Sequence, residues 1–110
     1  MRDIGVLAVT SSDRLNAGWT SAARARERGT RGAQSHIDRM LSSLPRHCGI
    51  VTVIDGHPAT LAWLGAVAGH RTRSLGVEHF GQTGSIAELY AHCGIDAPGI
   101  ARAARALRLR

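Results

Sequence analysis

The chain has 110 residues, enough for one domain with a modest core, and its 44% apolar and 20% charged residues are typical of a globular protein. Fourteen basic residues, all of them Arg, outnumber eight acidic ones and give a net charge of +6. Two cysteines without metal-binding spacing, no signal peptide and no apolar run of membrane length indicate a cytoplasmic protein with reduced thiols.

The first half of the chain predicts one strand and two helices. Ile4 to Val9 is a continuous apolar run, typical of a strand that is buried on both faces. A polar stretch with helix-start residues follows it, and Leu15 to Arg28 is compatible with a weakly amphipathic helix. Gln34 to Leu44 is a clearer helix, because Ser35 and Asp38 have the spacing of a capping box.

The centre of the chain predicts a strand, a tight turn and a helix, and the rest of the domain is expected to pack around them. Val51 to Ile54 is rich in β-branched residues, as a covered strand of a parallel sheet would be. Asp55 to Pro58 ends that strand. The pattern from Ala59 to Ala68 then predicts a helix with almost no polar face. Such a helix must be covered by other parts of the protein.

The last third predicts a weaker strand and two more helices. Arg73 to Val77 forms the strand, and a glycine-bearing loop follows from Glu78 to Gly84. Ser85 caps a short helix, and Asp96 caps the final one. Because strands alternate with helices, the fold class is α/β: a three-layer α/β/α sandwich around a short, mainly parallel sheet.

Three polar loops each follow a predicted strand, and such loops share one edge of an open parallel sheet, where ligands usually bind. The residues that could converge at this edge are Asp13, Arg14, Asp55, His57, Glu78, His79 and Gln82, and Glu78 is the one among them not singled out as a contact residue. One hypothesis gives His57 or His79 a general acid–base role. The favoured alternative is structural, with Asp55 and His57 satisfying backbone groups of their own turn.

Two other kinds of site are weaker hypotheses. A metal site built from His57, His79 and neighbouring carboxylates lacks compact ligand spacing. The stretch from Gly81 to Gly84 could cradle a phosphate, but it lacks the full fingerprint of a phosphate-binding loop. A glycine turn ahead of a capped helix explains that stretch without a ligand.

Three segments carry a family resemblance: Val51 to Gly65, Leu75 to Gly84, and Leu89 to Asp96. Together with Val9 to Trp19 they resemble the C-terminal domain of transketolase-type thiamine diphosphate enzymes. Within that group the chain is most similar to the homodimeric pyruvate dehydrogenase decarboxylating component and its 2-oxo acid relatives. The resemblance extends from about Ile4 to Leu107.

In that family, other domains bind the diphosphate and Mg²⁺ and carry the activating Glu. The resemblance therefore implies that this chain alone binds no cofactor and holds no catalytic residue. The C-terminal domain of the family stabilises the dimer and shapes the approach to the active site. The six residues at the shared loop edge would then make interface and channel contacts. The parent reaction would be decarboxylation of a 2-oxo acid, with transfer to a lipoyl group.

The family's domain usually begins with a further helix and strand, ahead of the position that Ile4 matches. We therefore expect residues 1–110 to form a single domain that is partial at its N-terminus. Such a chain would self-associate, or would need a polypeptide that carries the missing thiamine-binding domains. The alternative is a small Arg-rich module that binds nucleic acid or an acidic protein. The scatter of Arg over the sequence argues against nucleic acid.

Overall fold

A computed structural model describes residues 4–77 and 86–108, and this part of the chain forms six helices and two strands. The elements in chain order are α1 Ser12–Glu27, α2 His36–Ser42, β1 Gly49–Val53, α3 Ala59–Ala62, α4 Leu64–Ala68, β2 Arg71–Leu75, α5 Ile86–Cys93 and α6 Ala97–Arg108. This mixture of helices with a short parallel sheet is a small α/β fold.

The two strands pair in parallel, from Gly49 opposite Arg71 to Val53 opposite Leu75. Parallel neighbours need a crossover, and α3 and α4 supply it. Side chains of β1 alternate between the two faces of the sheet, so that neighbouring residues pack against different helices. Helices therefore lie against both faces, as the sequence predicts for a covered parallel strand.

Each face of the sheet has its own small core. The α2 core consists of Ile37, Leu41, Leu61 and Leu64, and Ile50 of β1 packs against it. The α6 core consists of Leu75, Val77, Ile95 and Ala103, and Val51 of β1 packs against it. Because each core has only four buried residues in the described part of the chain, each buried side chain carries a large share of the stability.

The predicted helix caps are present where the structure describes them. The Ser35 hydroxyl accepts the Asp38 backbone N–H at 3.3 Å, and Asp38 Oδ2 accepts the Ser35 backbone N–H at 2.9 Å. This reciprocal pair is a capping box. Asp96 Oδ1 accepts the Gly99 N–H at 3.0 Å and caps α6. Gly94 has a φ of +75°, which suits the residue that ends α5.

The predicted strand from Ile4 to Val9 is wrong. These residues form no regular secondary structure, and the Val6 side chain is 94% exposed. Val9 alone among them packs against the α2 core. An apolar run indicates that a segment suits burial, but a strand also needs a neighbouring edge for its hydrogen bonds. In the described part of the chain, no strand pairs with this segment.

The predicted helix from Ala59 to Ala68 is two short helices separated at Trp63. Trp63 has a ψ of −19°, closer to a 3₁₀ turn than to an α-helix, and its carbonyl accepts the Ala66 N–H three residues on.

The second strand starts at Arg71 and ends at Leu75, two residues earlier at each end than predicted. The glycine-bearing loop from Glu78 to Gly84 lies outside the described residues.

Candidate functional site at the carboxyl edge of the sheet

Asp55 lies directly after β1, at the carboxyl edge of the sheet. The hydroxyl of Tyr90 on α5 donates a hydrogen bond to Asp55 Oδ2 at 3.1 Å, across 35 positions of sequence. This hydrogen bond raises the pKa of Tyr90 above its ordinary value, and the negative charge of Asp55 adds to the effect. The bond fixes α5 beside the end of β1 and places a phenol and a carboxylate together.

His57 holds the start of α3. Its ring Nδ1 accepts the backbone N–H of Ala59 at 3.1 Å, so the neutral ring carries its proton on Nε2. The side chain is otherwise exposed. This geometry agrees with the structural role predicted for the turn, because the imidazole satisfies a backbone donor that the first turn of a helix leaves free.

The loops after β1 and β2 are fastened together by their backbones. The N–H of Val77 donates to the carbonyl of Gly56 at 2.6 Å, and the N–H of Ile54 donates to the carbonyl of Leu75 at 3.1 Å. Gly76 lies so close to the Gly56 carbonyl that a Cβ at this position would overlap it. The carboxyl edge is therefore a tight junction that only glycine permits at position 76.

An open cleft of about 350 Å³ lies between the first turns of α1 and the crossover helices. Its lining residues are Ser12, Asp13, Asn16, Ala17, Thr60 and Trp63. Trp63 stacks on Trp19 of α1, with ring centroids 5.2 Å apart and planes inclined at 28°. This stacked pair holds α1 against the crossover and keeps the cleft in shape.

The predicted edge residues that the structure describes each have their own separate contacts. Asp13 lines a cleft shared with the crossover, and Asp55 contacts Tyr90. Arg14 is exposed in the first turn of α1, where its backbone N–H donates to Ser11 Oγ at 3.4 Å. His79 and Gln82 lie outside the described residues, so their predicted place at this edge stays a prediction.

Sequence reasoning missed the part played by Tyr90. Its spacing on a helix with Leu89 indicates an inward-facing residue, and its ring does pack against the α6 core. The polar end of a half-buried tyrosine usually finds a hydrogen-bond partner, and this general rule was the available signal. Which carboxylate it would meet depends on tertiary packing alone.

Other chemistry-bearing groups in the described part of the chain form no cluster. No three His, Cys, Asp or Glu residues among those described come close enough to hold a metal ion. Cys48 and Cys93 are free thiols, each half-buried. Within the described residues, no helix is both long and apolar enough to cross a membrane.

The single tyrosine of the chain makes the Tyr90–Asp55 contact directly measurable. Asp55→Asn removes the negative charge and is expected to lower the pKa of Tyr90 towards its ordinary value, as followed by ultraviolet absorbance. Because the folded-state pKa is raised, the contact stabilises the fold below the unfolded pKa, and that contribution is lost as pH rises through the folded pKa. Asp13→Asn removes the same charge elsewhere, and its tyrosine titration should match that of the unmodified chain. If Tyr90 had the same pKa in both variants, the assignment of Asp55 as the carboxylate that raises this pKa would be contradicted.

No family model, curated protein or solved structure matches this chain. The resemblance to the transketolase C-terminal domain therefore stays a prediction, and the function is argued from the chain's own residues.

Proposed function

We propose that this chain is a structural, associative domain of a thiamine diphosphate-dependent 2-oxo acid dehydrogenase, of the kind found at the C-terminus of the decarboxylating component. In this role it performs no catalysis of its own. The observation that carries the associative part is the exposed apolar segment from Ile4 to Val9. The family assignment rests on the sequence resemblance.

Three large apolar side chains of this segment face solvent. Ile4 is 61%, Leu7 is 44% and Val6 is 94% exposed. Burying one such side chain completely contributes about 1.5–3 kcal/mol of stabilising free energy. The single chain lacks most of this contribution for three side chains that are close together in the sequence. Contiguous exposed apolar surface of this kind usually marks a contact with another protein.

The sheet offers a complementary surface. Within the described residues, β1 and β2 each pair with one strand, so each has a second edge without a strand neighbour. Such an edge presents unpaired backbone groups that can accept an added strand. The β-branched residues of the apolar segment suit that position. Association would therefore pair the segment with an edge strand of a second copy or of a partner polypeptide.

The total exposed area of the chain also supports association with a partner. The chain exposes 7759 Å², whereas a compact monomer of this size exposes about 5,900 Å². The excess is larger than the roughly 800 Å² that each partner buries in a standard interface. An interface of standard size would therefore remove part of this excess.

The proposal assigns thiamine diphosphate and Mg²⁺ to the partner polypeptide. This assignment follows from the resemblance, since in that family other domains bind the diphosphate and Mg²⁺. Asp13, Arg14, Asp55 and His57 would contact the partner beside its active site. Decarboxylation and transfer to the lipoyl group would take place on the partner's own residues and cofactor.

The test is to mix the purified chain with a polypeptide that carries the thiamine-binding domains of a 2-oxo acid dehydrogenase. Light scattering after size-exclusion chromatography should reveal a stable complex, and the complex should gain 2-oxo acid decarboxylase activity over the partner alone. A chain that stays monomeric and leaves the partner's activity unchanged would contradict the proposal.

Val6→Lys tests whether the apolar segment makes the contact. Val6 is almost fully exposed in the single chain, so the substitution should leave the melting temperature unchanged. It should raise the dissociation constant of the complex, or of the self-associated form, by more than about tenfold. Met40→Lys places the same charge on an exposed apolar residue of α2 and serves as the control. Equal weakening by both variants would show that the segment is not the contact.

A further inference from the structure

The amino end of the sheet, opposite the candidate site, gathers basic side chains from three separate parts of the sequence. Arg46 and His47 precede β1, Arg71 and Arg73 belong to β2, and Arg108 ends α6. These five residues are called the basic end. Four of them are exposed and Arg71 is half-buried.

Direct contacts hold the three parts together. The Arg71 side chain donates to the carbonyl of His47 at 3.3 Å, which ties the start of β2 to the approach to β1. The Arg46 guanidinium lies against Gly69, where its Nη2 is 3.3 Å from the position a Cβ would take. Arg46 and Arg71 therefore lie near each other, where the residues before β1 meet the start of β2.

The end of α6 lies over the start of β1. Leu107 is buried against Gly49, with its Cδ1 2.9 Å from where a Cβ of that glycine would be. Gly49 pairs with Arg71 in the sheet, so the next residue of α6, Arg108, ends close to the same junction. Arg71 and Arg73 share the α6 side of β2 with Leu75, and successive residues on one side of a strand are about 7 Å apart.

Charge is segregated along the sheet. The segments that build the basic end contain no Asp or Glu, because residues 39–54, 56–77 and 97–110 have none. Asp55 follows the opposite end of β1, and Asp96 starts α6 at the end remote from Leu107. Asp38 already pairs with Arg26 at 3.7 Å. These segments therefore contribute Arg and His side chains to the basic end but no Asp or Glu side chain.

We propose that the basic end binds the phosphate backbone of nucleic acid, without sequence selectivity. Guanidinium groups donate paired hydrogen bonds that match phosphate oxygens, and several at one end of a sheet could engage successive phosphates. An acidic protein partner is a poorer match. Protein interfaces centre on hot spots rich in Trp, Tyr and Arg, and the basic end has four arginines and one imidazole but no Trp or Tyr. This inference does not depend on the proposed associative function.

The test measures binding to a fluorescein-labelled DNA duplex of about 20 base pairs, by anisotropy, between about 0.05 and 0.2 M salt. The unmodified chain should bind with a logarithmic salt slope of about −3 to −4. The combined variant Arg46→Gln, Arg73→Gln and Arg108→Gln should raise the dissociation constant more than about tenfold and flatten the slope by about 2.7. The melting curve of the combined variant, followed by circular dichroism, should match that of the unmodified chain. If it does not, the three single variants are measured instead, and each should flatten the slope by about 0.9.

The matched control removes the same three charges from the end of α1 and the loop after it, as Arg24→Gln, Arg28→Gln and Arg31→Gln. These residues are exposed and lie in a different part of the sequence. The control should change the dissociation constant by no more than about twofold. Equal weakening by both triple variants would overturn the proposal in favour of diffuse charge attraction. Absence of DNA binding by the unmodified chain, or equal competition by a polyglutamate peptide, would also overturn it.

Discussion

Gly76→Ala is expected to destabilise the chain by about 3 kcal/mol or more. The new Cβ would overlap the carbonyl oxygen of Gly56 and lie 2.8 Å from the backbone nitrogen of Pro58. Both neighbours are backbone atoms, so no side chain can rotate away. Relief would require the loops after β1 and β2 to separate, which would break the hydrogen bond from Val77 to Gly56.

Urea denaturation measures this loss as a fall in the midpoint at an unchanged slope. Gly56→Ala is the matched control, because it adds the same methyl group to the facing loop. Its Cβ would lie 3.8 Å from its nearest neighbour, an Ile54 side-chain carbon, which is ordinary contact distance. The control should therefore cost no more than about 1 kcal/mol. Equal midpoints for both variants would mean that the junction is looser than the structure describes.

Ile37→Ala is expected to cost about 2–5 kcal/mol, because it removes a completely buried side chain from the α2 core and leaves a cavity. The upper end of that range equals the lower end of the stability of a typical domain, which is about 5–15 kcal/mol. The α2 core has three other buried members in the described residues, so few neighbours can close the space. The variant should be largely unfolded in mild denaturant.

Met40→Ala on the same helix provides the comparison. Met40 is 36% exposed, so truncating it should cost about 1 kcal/mol or less. Both variants are measured by urea denaturation, together with the unmodified chain. Similar losses for Ile37→Ala and Met40→Ala would contradict the assignment of α2 as the helix that closes this face of the sheet.

The elements that the sequence predicts correctly are those with local signals. The capping box at Ser35, the cap at Asp96 and the glycine at Gly94 each depend on residues a few positions apart. The β-branched run also predicts the strand β1, although Val53 at its end is 41% exposed. In these places the side chains needed to form the element are close neighbours in sequence.

The features that the sequence does not predict depend on contacts between distant residues. Ile4 to Val9 has the composition of a strand, but pairing requires an edge that composition cannot specify. The Tyr90–Asp55 contact and the basic end join residues from separate elements. The break at Trp63 accompanies a hydrogen bond from its indole to the Thr60 carbonyl and a stack on Trp19, which a helical pattern does not reveal.

The segment from Ile4 to Val9 is the centre of the associative proposal, and amide hydrogen exchange tests it most directly. Exchange is measured on the single chain at low concentration and again in complex with the thiamine-binding polypeptide or with itself. We expect fast exchange across the segment in the single chain and strong protection in the complex, because the segment would pair as a strand. Protection that appears elsewhere while this segment still exchanges fast would contradict the account.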